Sequence, residues 1–403
     1  MNKKNVLKRL SCVFLASVVT LTATTGSVLA YTSTQLKTSV PASSVTTGNR
    51  VCGDYYKIET AGSLIKVTYK HKLAYPKGFS PRLLAYPSGV LKGPIQYKKQ
   101  LDGLGAGETT SFEYDCSEVA DGKYYFRVCA NEITAESSVG LTIYPTLLPQ
   151  IRVVVKDGIP TLYQFKNIAA DNRNQAGKYS YTKSRKKSLI DYKYQLFNKR
   201  GYIKNPRTIN EAAESAYYKK VSDKIVTAAK ADTNYKKAFA IFEFVAKNFY
   251  YDYYANANNK VPYDDPYYNL KNQQNKTGIN ANTYKGKVAV QCDGYAGLFT
   301  ALARAQGIPT RMVYGRKITN SSTWEGTSST ALKTNTHTWV QCRINGRWVN
   351  IDPQQGSLNR YGNKYVKSNK KWVKSTIVNY YYFDMSYEQM AATHKFNKIV
   401  VNS

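Results

Sequence analysis

Acidic residues are scarce in this chain of 403 residues: Asp and Glu number 26 against 58 Lys and Arg, which leaves a formal net charge of +32. Histidine is scarcer still, at three residues, and the six cysteines and three histidines match no zinc-motif spacing. That argues against a metal centre, and no motif calls for a cofactor. Past the first thirty residues there is no long apolar run, so no membrane span is expected in the mature chain. Apolar residues still make up 42% of the sequence, enough to build real cores, which excludes a disordered basic protein. The abundance lies in tyrosine, 36 residues, many beside lysine or asparagine.

The chain divides by composition. Residues 1–30 read as a secretory signal peptide: Lys3, Lys4, Lys8 and Arg9 precede an apolar run, and Val28-Leu29-Ala30 offers a cleavage site. Cys12 has no lipobox around it. The protein is therefore expected to be secreted or associated with the cell surface. There an anionic wall polymer or phospholipid head groups are more fitting partners for its charge than nucleic acid, although the charge also has a purely solubilising reading. Residues 31–50, rich in Ser and Thr, read as a disordered lead-in. Residues 51–147 alternate in short runs, Tyr55–Glu59, Leu64–Tyr69, Arg82–Tyr86, Thr110–Tyr114, Lys123–Val128 and Gly140–Tyr144, separated by Asp-Gly and Pro-Ser-Gly turns. This pattern predicts an all-β sandwich of the immunoglobulin type, acting as a spacer or binding module. It holds Cys52, Cys116 and Cys129, an odd number whose pairing the sequence leaves open. A hairpin at Asp121-Gly122 would set Cys116 opposite Arg127. His71 stands alone there and reads as a surface residue. Residues 148–205 read as a basic connector with a β-hairpin at Asp157-Gly158, and 206–403 as a second domain.

That second domain opens with helices. Thr208 and Glu211 suggest a capping box, and 234–248 carries Ala238, Ile241, Phe242 and Val245 on one stripe. A long polar segment, 252–290, leads into Gln291-Cys292 and is read as one wall of a substrate groove; the Ser/Thr-rich stretch 321–335 is read as the other. After Cys292, Tyr295, Leu298, Phe299 and Leu302 recur with helical period until Gly307 and Pro309 end the helix. The apolar run that follows reads as a buried strand. Cys292 therefore sits at a helix start, where the dipole favours a thiolate. A buried structural cysteine is the competing reading.

Further on, Asn345-Gly346 predicts a two-residue type I′ hairpin. The register then pairs Ile344 with Arg347, Cys342 with Val349 and Val340 with Ile351. One face carries Val340, Cys342, Ile344, Val349 and Ile351. The other carries His337, Trp339, Gln341, Asn350 and Asp352, so that His337 and Asp352 are diagonal neighbours within side-chain reach. A carboxylate so placed orients an imidazole and stabilises its charged form. The tail, 380–394, reads as a strand and a short helix, with His394 as a packing or capping residue.

The cysteine-led helix, the His337-Thr338-Trp339 strand and the Trp348-Val349-Asn350-Ile351-Asp352-Pro353 strand resemble, in order and spacing, the transglutaminase-like superfamily. The segment VAKNFYYD at 245–252 is similar too. The resemblance covers about residues 206–403 and implies an α+β, papain-like core behind the β-sandwich. It also implies a triad of Cys292 as nucleophile, His337 as general base and acid, and Asp352 as orienter. Where many relatives follow Asp-Pro with Thr, this chain has Gln354. The implied chemistry is acyl transfer through a thioester on amide bonds of proteins or wall peptides. Water as acceptor makes a protease or amidase, and an amine makes a cross-linker; no dedicated feature for an amine is seen, so hydrolysis is favoured. A non-catalytic binding protein on the same fold is the rival from another class. The oxyanion would be held by the Cys292 backbone N–H and a second donor, for which Tyr284 and Gln291 are candidates. Trp339, Tyr284 and Gln291 are the expected substrate contacts.

Overall fold

A computed structural model describes residues 40–42, 44–48, 55–70, 82–87, 97–100, 109–129, 151–164, 166–179, 210–257, 265–275, 283–284, 286–318, 336–362, 367–375 and 378–401. The leader, Cys52, His71, Gly140–Tyr144, Thr208 and the loop 321–335 lie outside these residues, as do the side chains of Cys129 and Tyr284.

Ten strands come first: β1 (Val40–Ala42), β2 (Ser44–Gly48), β3 (Tyr55–Ala61), β4 (Leu64–Lys70), β5 (Arg82–Pro87), β6 (Tyr97–Gln100), β7 (Thr109–Asp115), β8 (Gly122–Cys129), β9 (Ile151–Lys156) and β10 (Ile159–Gln164). They form a six-stranded sheet, β1-β10-β9-β8-β5-β6, and a four-stranded one, β2-β3-β4-β7, both antiparallel. Inward residues of both sheets, among them Ile58, Ile65, Val67, Phe126, Val153 and Leu162, share one buried cluster. Three expectations are corrected. Residues 40–42 and 44–48 of the expected lead-in are strands, β1 paired with β10 and β2 with β3. No hairpin forms at Asp121-Gly122, because β7 and β8 belong to different sheets. The hairpin β9–β10 forms at Asp157-Gly158, both in the left-handed region, but it continues the sheet of β8. A boundary at 147 therefore cuts through a sheet.

The second half of the supposed connector begins with a helix, α1 (Lys166–Gly177). Its sequence, KNIAADNRNQAG, has few apolar residues and no acidic first turn, so it carries little helical signal. Then come α2 (Glu211–Ala228) and α3 (Asn234–Asn248), capped by Asn210 and Thr233. Asn210, not Thr208, is the N-cap of α2: its side chain accepts from the Ala213 N–H. The stripe on α3 is buried as its period requires.

The polar segment 252–290 is not one long loop. It holds β11 (Phe249–Asp252) at its head, the helices α4 (Tyr253–Ala257) and α5 (Pro266–Asn275), and the strands β12 (Thr283–Tyr284) and β13 (Lys287–Val290). Polar caps such as Asp252 and Asp265, whose carboxylates accept backbone N–H groups at the helix starts, replace the apolar pattern that would have revealed them. Next are α6 (Cys292–Ala305) and β14 (Thr310–Lys317), then β15 (Thr336–Ile344) and β16 (Arg347–Ile351). The remainder is α7 (Pro353–Gly356), β17 (Arg360–Tyr361), β18 (Trp372–Val373), a 3-10 turn (Tyr380–Tyr382), β19 (Phe383–Met385), α8 (Tyr387–Ala391) and β20 (His394–Val401).

Two sheets result, β12-β13-β11-β17-β18 and β19-β16-β15-β14-β20. The second carries the site. Its central hairpin has the register that the two-residue turn dictates, Val340↔Ile351 through Ile344↔Arg347, with Asn345 at φ 50° and Gly346 at φ 77°. Helix α6 is buried almost throughout, and its packing on β15, β14, α2 and α3 builds the core. The other face of the hairpin is not open. Gln341 and Asn350 are buried there in a hydrogen-bonded chain: Arg311 donates to Gln341, Gln341 to Asn350, and Asn350 to the Met385 carbonyl. The Arg311 guanidinium stacks on Trp348 at 3.8 Å and also donates to the Tyr179 and Ala176 carbonyls at the end of α1. Helix α1 is thus fastened to the site-bearing sheet. No described helix is long and apolar enough to cross a membrane.

Candidate active site

Cys292 is the first residue of α6 and is half-buried. Gln291 occupies the N-cap position, and its side chain does not cap the helix. A thiol at this place sits against the positive end of a 14-residue helix. The two other described cysteines have no such setting. Burial pushes the Cys342 thiol up to about 12, and burial with the nearby Asp115 charge pushes Cys116 to about 12 as well. Both are inert at neutral pH.

Two ties fix the start of α6 against the hairpin. The Thr338 hydroxyl donates to the Asp293 carboxylate, joining the residue after Cys292 to the residue after His337. One turn along, the Tyr295 hydroxyl lies 3.1 Å from Ser357 Oγ, just beyond α7. Gly356 makes that turn possible, because a Cβ there would meet the Phe242 ring at 2.4 Å.

His337 and Asp352 meet as the register requires. His337 Nε2 lies 2.6 Å from Asp352 Oδ2, with both side chains buried. Asp352 is also the N-cap of α7: Oδ1 accepts from the Gln354 and Gln355 N–H groups, each at 3.0 Å. Burial opposes its charge, but the neighbouring His337 and the hydrogen bonds from two histidines outweigh burial and hold the carboxyl well below the usual carboxylate range. Since Asp352 stays ionised, it accepts at Oδ2, and the proton of neutral His337 sits on Nε2. Nδ1 is then the basic nitrogen.

The second histidine was not singled out for this role. His394 does not merely pack: its Nε2 lies 2.9 Å from the same Asp352 Oδ2, and its ring centroid is 5.5 Å from that of His337. Its position at the start of β20, paired with Lys317 at the far end of β14, had no local signal. Among the described residues, His337, Asp352 and His394 form a convergent set of metal-ligand types, with ligand atoms within 4.8 Å. Tetrahedral zinc, with bonds of about 2.0–2.1 Å, would spread its ligand atoms to roughly 3.3 Å. The observed 2.6 and 2.9 Å are instead the separations that a shared proton gives.

Trp339, expected as a substrate contact, is fully buried, its ring packed among His337, His394 and Phe396. Gly315 leaves the space, because a Cβ there would lie 2.5 Å from the indole. Of the other expected contacts, Gln291 adjoins Cys292 at the helix start, and Tyr284 contributes its backbone to β12, paired with Lys287.

Residues 219–353 match the family model described as the transglutaminase-like superfamily. This stretch is a transglutaminase-like domain. The domain's core is α+β, and the match takes in Cys292, His337 and Asp352 but ends before β20 and begins after α1. Among solved structures, the chain is similar to one described as "Crystal structure of a TGase", with 16% identity over 56% of this chain and 47% of that one, at a TM-score of 0.24. A second, a "putative protease" from Parabacteroides distasonis ATCC 8503, shares 9% identity over 78% of this chain and 66% of that one, at a TM-score of 0.21. The chain thus spans about half the length of the first and under two thirds of the second. No curated protein matches.

Proposed function

We propose that the protein is a cysteine acyl-transfer enzyme that cleaves amide bonds of proteins or wall peptides, with water as acceptor. The observation that carries this reading is the 2.6 Å contact from His337 Nε2 to the Asp352 carboxylate, on a hairpin tied to the helix that Cys292 begins. With Nε2 so engaged, Nδ1 of His337 takes the proton of the Cys292 thiol. The thiolate attacks the amide carbonyl carbon, and a C–S bond forms as the C=O pair moves to oxygen. Backbone N–H groups at the start of α6 are suited to that oxyanion. On collapse the C–N bond breaks, and the amine leaves with the proton from His337, giving a thioester. Water attacks the thioester as His337 takes its proton; the C–S bond breaks, the acid departs, and the thiol is restored.

Secretion rests on the leader-like residues 1–30, and attraction to an anionic wall polymer rests on the net charge of +32. For the β-strand region we propose an immunoglobulin-type sandwich that serves as a spacer or binding module. The test is a panel of proteins and wall peptides, assayed with and without an added primary amine. Release of new amino groups, unchanged by the amine, is the expected result. Incorporation of the amine in place of hydrolysis would make the protein a cross-linker. Absence of turnover, together with a Cys292 unreactive to iodoacetamide at pH 7, would leave a binding protein on this fold.

A further inference from the structure

One carboxylate oxygen serves two imidazoles. Asp352 Oδ2 lies 2.6 Å from His337 Nε2 and 2.9 Å from His394 Nε2. An ionised carboxylate has only acceptors to offer, so both rings must present N–H at Nε2. On the other side of the ring, Thr393 Oγ1 lies 2.7 Å from His394 Nδ1; with the ring proton on Nε2, that nitrogen accepts from the hydroxyl. His394 is fully buried, and burial lowers its pKa, so the ring stays neutral at pH 7.

The backbone of His394 is held as firmly. The Asn172 carboxamide, from α1, donates to the His394 carbonyl at 2.9 Å and accepts from the Phe396 N–H at 2.7 Å. These are two groups on the outer edge of β20, so one side chain does what a residue of a neighbouring strand would do. Asn172 is itself fully buried. The arrangement joins residues that are 222 apart in sequence, both outside the matched stretch 219–353.

We propose that His394 is a positioning residue of the acyl-transfer site: its Nε2–H holds Asp352 Oδ2 in place, so that the carboxylate stays aligned on the His337 Nε2–H and leaves Nδ1 of His337 to take the thiol proton. The proposal rests on the function given above. The charged and titratable groups facing the trio are Lys317 at the end of β14, Tyr295 on α6 and Tyr382 before β19. Without the second imidazole donor, Asp352 Oδ2 is no longer held from the far side, and the His337 ring loses its fixed partner.

The test reads the thiol directly, so it does not depend on finding the natural substrate. Alkylation of Cys292 by iodoacetamide is followed from pH 4 to 10 in the full chain. Reactivity rises from the acid end as the Cys292 thiol gives up its proton and the thiolate forms. In His394→Phe that limb should move up by about one pH unit, from the loss of one charge-assisted hydrogen bond. His394→Gln, whose amide can place an N–H near the Nε2 position, should return it towards the parent value. A purely structural role would lower stability in both variants and leave the limb in place, and that result would overturn the proposal. Nitrogen NMR of the parent protein gives an arm that no folding failure can spoil. Both His337 and His394 should be Nε2–H tautomers when neutral, and an Nδ1–H tautomer at His394 would overturn the proposal. If Cys292 proves unreactive in the parent, the functional reading fails, and the NMR arm still decides the hydrogen bonding.

Discussion

Asp352 spends each of its oxygens on two donors, two backbone N–H groups at one and two imidazoles at the other. An amide cannot satisfy all four. In Asp352→Asn, if the carbonyl keeps the Gln354 and Gln355 N–H groups, the NH₂ confronts two N–H donors. His337 must then flip its tautomer and lose its basic Nδ1. The expected fall in rate is about 10⁴-fold, by analogy with the serine triad, with circular dichroism unchanged. Cys292→Ala should abolish turnover. Cys342→Ala should cost roughly 1–2 kcal/mol in a denaturant titration, with activity kept, since the Cys342 thiol is a core group 3.2 Å from the Thr310 hydroxyl. In mass spectra after iodoacetamide at pH 7.5, Cys292 should carry label, and Cys116 and Cys342 should not. The His337–Asp352 pair was legible because Asn345-Gly346 admits one register, and the register places both residues on one face. His394 was illegible because no turn or period links it to Asp352, 42 residues earlier in sequence.

At the scale of elements, α1 and β20 are the surprise. Sequence periodicity finds helices and strands that hide an apolar face, as α3 and α6 do. It misses α1, which buries only Ile168, Ala169 and Ala176 as apolar residues and is otherwise held by polar groups: Asn172 to the β20 backbone, Arg173 to Glu388, and its C-terminal carbonyls to Arg311. A chain starting at residue 206 would lack all three. It should show a weakened site, and one starting at residue 31, which keeps α1 and the whole β8–β9 sheet, should retain it; the iodoacetamide rate at Cys292 compares the two. Asn172→Ala leaves a buried carbonyl and a buried N–H without their partner and should cost about 2–4 kcal/mol in thermal or denaturant unfolding. Gly315→Ala should destabilise by about 1–3 kcal/mol, because the new methyl meets the Lys395 carbonyl at 2.2 Å and the Trp339 ring at 2.5 Å. Activity should fall with it, since those two groups flank His394.

For the molecule as a whole, pH acts through the same trio. Asp352 titrates far below its unfolded value, so its contribution is fully present above about pH 4 and is lost only as pH falls towards its low folded pKa. His394 also has a lowered folded pKa. Above about 6.5 it is neutral in both states; below that the unfolded chain takes up a proton that the folded chain refuses, and stability declines. A urea midpoint lower at pH 5 than at pH 7.5 is the expected result. Charge acts at longer range: with a net +32, retention on an anionic wall polymer should weaken steeply as salt shortens the screening length below about 8–10 Å. A last consequence follows from where β20 lies. It is an outermost strand of its sheet, paired to β14 on one side, with Asn172 bonded to its outer edge. Outer strands open at lower free energy than the centre of a sheet. On warming, thiol reactivity at Cys292 should therefore fade reversibly several degrees before the protein melts, and should recover on cooling at the rate at which a single strand settles back into its place.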